Sequence, residues 1–183
     1  MNHRILSIAL LICLISGCTP DQPNIYKTTE TYPEELQLLH RNVIDYLLDD
    51  ELNLEEVKQI FKDLSDAGAW PDVDYPSKTR GYWSPTFHLS RMITLSKAYQ
   101  KPGSDFYQNA DVSEKIHAAL NHWLNNDFQS PNWWHPVIGT PMRLLPTLIL
   151  MESELSAEQL AKAMPILNRC EIGRTGQNKV WHV

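Results

Sequence analysis

The sequence predicts an all-α fold of antiparallel helix hairpins, on three observations. Apolar residues recur at three- and four-residue steps along most of the chain, the spacing that lines one face of a helix. Strand-type alternation is absent throughout, and the connections are alternately short and long. Such an arrangement returns neighbouring helices antiparallel and gathers the long loops on one side. With 183 residues and 43% hydrophobic content, the chain is long enough for one domain with a sizeable core and too apolar for disorder.

The first residues stand apart from this pattern. A basic start, Asn2-His3-Arg4, leads into an apolar run from Ile5 to Ile15 that ends in the small pair Ser16-Gly17. Residues 1–17 therefore read as a secretory signal, too short to span a membrane as a helix. Cys18, directly after Leu14-Ile15-Ser16-Gly17, resembles the lipidated cysteine of a bacterial lipobox. That resemblance implies export across the inner membrane and a lipid anchor in the cell envelope, on the periplasmic or the outer surface; the alternative is an ordinary cleaved signal with an incidental cysteine. Residues 18–31 are polar, carry Pro20 and Pro23 and lack periodicity, as expected of a tether. The folded domain is expected over 32–183.

Six helices are expected in it. The first runs to about Asp50, with Pro33 in its opening turn, Glu34-Glu35 favouring its N-terminal dipole, and Leu36, Leu39, Val43, Tyr46 and Leu47 as its apolar stripe. The second begins near Leu54, turns Val57, Ile60, Phe61 and Leu64 to one side and stops near Gly68. After the long aromatic connection 69–84, a third helix spans about Pro85 to Gln100 and is broken by Lys101-Pro102-Gly103. The fourth opens near Asp111, where Ser113 and Glu114 offer capping groups, and continues to about Phe128. A fifth follows Gly139 through MRLLPTLILMESEL, kinked at Pro146. Ser156 and Gln159 form a capping-box pattern ahead of a sixth, Leu160 to Leu167.

Charge narrows the partners. Removing the signal takes one cation, Arg4, from 16 basic and 22 acidic residues and moves the formal net charge from −6 to −7. That balance disfavours nucleic acid but leaves an acidic sugar polymer open if cations are local to its site. Cys13 leaves with the signal, Cys18 is assigned to lipid and Cys170 is alone, so neither a disulfide framework nor a zinc pattern is available. No cofactor or metal is implied, and the oligomeric state is left open.

The candidate site centres on SPNWWHPVIGTP, Ser130 to Pro141. Two adjacent indoles between turn formers suit an exposed platform, and their faces carry π-density that fits the C–H face of a sugar ring. The structural alternative buries one tryptophan under the next helix and uses the other to fill a gap. Near the end of the sequence, Asn178 follows the turn Thr175-Gly176-Gln177, where close backbone approach would let its amide face a carboxylate. An ordinary turn asparagine is the other reading.

Taken together, AWPDVDYPSKTRGYWSPTFHLSRM (69–92), SPNWWHPVIGTP (130–141) and TGQNKVW (175–181) resemble the N-terminal catalytic domain of polysaccharide lyase family 8, which contains hyaluronate, chondroitin AC and xanthan lyases. The resemblance implies an incomplete (α/α) toroid. It also implies β-elimination on a uronate-containing polysaccharide, an aromatic patch at Trp133 and Trp134 led by Asn132, and Asn178 binding the uronate carboxylate. Two departures stand out. His135-Pro136-Val137 replaces the aromatic or polar residue and Asn-Glu pair common in the family, with His135 as a candidate substrate contact. The family's catalytic His, Tyr and Arg lie downstream of the Asn loop, so residues 1–183 alone are expected to be inactive. The competing class is a non-catalytic glycan-binding or structural lipoprotein. His88 is read as structural, His117 and His122 as surface groups, and Asp72 and Asp74 as acceptors that brace their loop.

Overall fold

The computed structural model describes residues 33–170, and every described element is helical. Helix α1 covers Glu34–Leu48, α2 Leu54–Asp63, α3 Thr86–Gln100, α4 Ala110–Asn126, α5 Thr140–Leu150 and α6 Ala157–Leu167. A single π-helical turn, His135–Gly139, runs directly into α5, and a 3₁₀ turn, Glu152–Glu154, follows it. The architecture is all-α, built from helix hairpins as in an (α/α) toroid. The signal, tether and Cys18, along with Asn178, lie outside the described residues.

Local chemistry accounts for most of the boundaries. Asn53 caps α2 by accepting the amides of Glu55 and Glu56, and the Ser156–Gln159 capping box opens α6 in both directions. Helix α2 ends at Asp63, before the predicted Gly68, because the chain turns extended at Leu64. Gly68 takes φ +74°, and a Cβ there would lie 2.1 Å from the Ala118 carbonyl oxygen, so it is the residue that lets this turn press against α4. Asn109 caps α4 in place of Ser113 and Glu114, accepting the Asp111 amide at 2.9 Å, while the Ser113 hydroxyl reaches across to Glu154 at 2.5 Å. The helix stops at Asn126 because Asp127 adopts φ 41° and returns its N–H to the Trp123 carbonyl.

Helix α3 is central and packs on α1, α2, α4 and α5, while α6 closes against α4 and α5. The core between them joins Leu89, Met92 and Leu95 of α3 to Ile116, Leu120 and Trp123 of α4 and to Leu144 and Leu148 of α5. Trp70 and Trp83, from the long loop 69–84, are buried in the same cluster. Helix α1 departs from expectation: none of its residues is buried, and Leu36, Leu39 and Tyr46 of the predicted stripe face solvent. It is tied down by polar contacts, with Asp50 just past its end pairing with Lys97 and His40 meeting Glu152 at 2.6 Å.

Candidate functional site: a double-tryptophan surface

Loop 69–84 lacks periodicity but is heavily braced. Trp70 donates its indole N–H to the Ile60 carbonyl at 2.9 Å, and Trp83 donates to the Ser77 carbonyl at 3.1 Å. Asp72 grips Arg91 through two bonds of 2.6 and 2.5 Å, which holds its carboxyl below the usual range. Asp74 donates its backbone N–H to Ser84 Oγ. Tyr75 accepts the Trp70 N–H and bonds His88 Nδ1 at 2.9 Å, and His88 Nε2 bonds the Ala119 carbonyl at 3.0 Å. His88 is therefore structural, as expected. His122 is not a simple surface group: its ring packs among Tyr75, His88 and Phe128, because the loop folds back over that face of α4. His117 accepts at Nδ1 from the Gln159 side-chain amide of α6 at 3.1 Å.

The bracing brings loop 69–84 against the segment that carries the paired indoles. Asn132 donates its side-chain N–H to the Arg80 carbonyl at 2.8 Å and accepts the Trp134 amide at 3.2 Å, and Lys78 reaches the Gln129 carbonyl. Trp133 is 51% exposed and Trp134 36%, so neither ring is buried under the following helix. His135 lies next to Trp134 at 8% exposure. Its ring sits 5.1 Å from Trp83 and 5.3 Å from Trp134, and burial lowers its pKa despite the nearby Gly81 backbone. The expected loop 130–141 is thus shorter, since helical geometry begins at Trp134 and the π turn takes in His135 to Gly139.

Charge is segregated here. Residues 75–104 and 128–151 contain no Asp or Glu, a signal legible in the sequence but easily missed. Lys78, Arg80 and Arg143 lie on these segments, and among the described residues none of them has a carboxylate partner, whereas Lys58, Arg91, Lys97, Lys162 and Arg169 all do. Arg143 instead places its guanidinium 5.8 Å from the centre of the Trp134 ring. The result is an apolar, cation-bearing surface on a chain of net negative charge, able to take a flat anionic ligand.

Residues 41–178 match the family model described as polysaccharide lyase family 8, N terminal alpha-helical domain. The chain belongs to polysaccharide lyase family 8. Its relatives in the family include the chondroitinase-AC of Pedobacter heparinus, 34% identical over 116 residues, 61% of this chain and 17% of that protein. The xanthan lyase of Bacillus sp. (strain GL1) is 30% identical over 130 residues, 61% of this chain and 14% of that protein. A solved chondroitinase AC lyase, studied in enzyme–oligosaccharide complexes, superposes with a TM-score of 0.72 at 30% identity over 78% of this chain and 22% of that one. A Paenibacillus xanthan lyase gives a TM-score of 0.57 at 25% identity over 80% and 16%. The chain thus spans less than a fifth of the length of the curated relatives it matches. Asn178 is the final residue of the family match.

Proposed function

We propose that this chain is the N-terminal portion of an exported polysaccharide lyase that binds a uronate-containing polymer, glycosaminoglycan- or xanthan-like, across Trp133 and Trp134. The observation that carries the reading is the pair of exposed indoles on segments that contain no Asp or Glu and bear Lys78, Arg80 and Arg143. A sugar ring lies flat on the indoles, and the cations offset the polymer's charge. Asn132 and His135 belong to the same site, Asn132 by shaping the turn and His135 by supporting the Trp134 ring from below.

In β-elimination a base removes the C5 proton of the uronate, the electron pair becomes the C4–C5 double bond, and the C4–O bond breaks, its oxygen leaving with the bonding pair on the next sugar and taking up a proton. Charge builds beside an existing carboxylate, so an Asn178 amide aimed at that carboxylate lowers the barrier; its loss costs about 3 kcal/mol, by analogy with oxyanion-hole deletions. Residues 1–17 direct export and Cys18 carries the lipid, which a mass shift lost in Cys18→Ser checks.

A second reading has support of its own. Of the histidines among the described residues, His88 and His135 are buried, His117 and His122 are engaged between elements and His40 pairs with Glu152. None stands open beside the indoles to take a proton, which favours binding without cleavage for these residues by themselves.

Calorimetric titration of the 183-residue chain with chondroitin, hyaluronan and xanthan oligosaccharides tests both readings, alongside ultraviolet detection of an unsaturated uronide. Binding without absorbance is expected from this chain. Trp133→Ala and Trp134→Ala should each weaken binding by about 2 kcal/mol with little change in Tm. Wild-type affinity in both variants removes the platform.

A further inference from the structure

Trp133 and Trp134 are adjacent but not equivalent. Among the described residues Trp133 makes no ring or cation contact, whereas Trp134 is held on several sides. The hold begins with the π turn, in which Thr140 donates its N–H to the His135 carbonyl five residues back. Residue 139, the last of that turn, lies against the ring of residue 134, and such turns occur frequently at functional sites. Residue 139 is glycine, and a Cβ there would fall 2.5 Å from Cζ3 and 3.0 Å from Cε3 of the Trp134 ring. The backbone at Gly139 is ordinary helix, φ −63° and ψ −39°, which any residue adopts and alanine prefers. Conformation does not call for glycine at this position; the space taken by the indole does.

Arg143, one turn further on, donates Nη1 to the Gly139 carbonyl at 3.1 Å while its guanidinium faces the same indole. The His135 ring meets that indole edge-on at 84°. We propose that Gly139 and Arg143 are positioning residues that set the angle at which Trp134 presents its exposed part to a sugar, the missing Cβ fixing the seat of the ring and the guanidinium its tilt. The proposal rests on the reading of Trp134 as a sugar-binding surface, and the test separates the two.

The full chain, labelled with 5-fluorotryptophan, gives fluorine NMR signals from which Trp134 is assigned by its loss in Trp134→Phe. Affinity for a chondroitin hexasaccharide is measured in parallel. In Gly139→Ala the Trp134 signal should move while those of buried Trp70 and Trp123 stay, and affinity should fall about tenfold, with Tm unchanged or raised because alanine favours helix. Arg143→Met should move the same signal and weaken binding without loss of fold. A purely structural glycine predicts no change in signal or affinity, and an unmoved Trp134 signal in Gly139→Ala overturns the proposal. So does a moved signal with affinity retained when Trp134→Ala has lost it. No hexasaccharide binding by the unsubstituted chain, or undiminished binding by Trp134→Ala, overturns the platform reading and the proposal with it.

Discussion

His88 has 0% exposure, and its protonation follows from its neighbours. The Ala119 carbonyl can only accept, so Nε2 carries the hydrogen, and Nδ1 accepts from the Tyr75 hydroxyl, whose oxygen takes the Trp70 N–H. Burial pushes the ring down to about 3 from an ordinary 6.5. Below pH 6.5 the unfolded chain binds a proton that the folded chain refuses until near pH 3, so stability falls as pH drops through that window. The slope for one such group is at most about 1.4 kcal/mol per pH unit. His122 and His135, also lowered by burial, act in the same direction. Thermal melts from pH 7 to pH 4 should show Tm falling, and His88→Gln, though less stable at pH 7, should fall less steeply. Gly68→Ala forces a side chain into both a left-handed backbone and the Ala118 carbonyl; a loss of about 3 kcal/mol or more is expected, read as a lower urea midpoint at unchanged m-value.

Among the elements, α6 is the one most fully encoded locally. Its capping box joins Ser156 and Gln159 by bonds of 3.1 and 3.0 Å, and the same Gln159 donates to Asn121 of α4 at 3.0 Å. Ser156→Ala should cost about 1 kcal/mol, measurable by denaturant unfolding. Helix α5 shows the opposite case. Its expected run to Leu155 stops at Leu150, and Met151 accepts the Glu154 and Leu155 amides to form the 3₁₀ turn. Nothing in the residue pattern distinguishes that tightening from continued helix, because both use the same apolar spacing.

For the whole molecule, the exposed face of α1 matters most. Leu36, Leu38 and Leu39 are each about half exposed and Tyr46 is 80% exposed, a cluster larger than scattered surface leucines. With residues 1–17 removed and Cys18 replaced by serine, the chain should therefore self-associate at micromolar concentration in sedimentation velocity runs. Leu36→Gln combined with Leu39→Gln should shift it toward monomer, and a monodisperse monomer before substitution counts against the idea. The same scale holds the separation of charge, since residues 75–104 and 128–151 contain no acids while the net charge of the chain is −6.

Periodicity and punctuation were enough to predict an all-α chain, six helices and the Ser156 capping box, because 3.6-residue spacing and capping chemistry act over a few neighbouring residues. The loop motifs likewise point to polysaccharide lyase family 8. Tertiary structure alone decided that α1 leaves Leu36, Leu39 and Tyr46 of its apolar stripe in solvent, that His122 joins an aromatic cluster and that His135 is buried against Trp134. It also decided that a glycine five residues away seats one tryptophan and not the other. Each of these depends on which distant segment covers a side chain, and spacing along the chain carries no information about that.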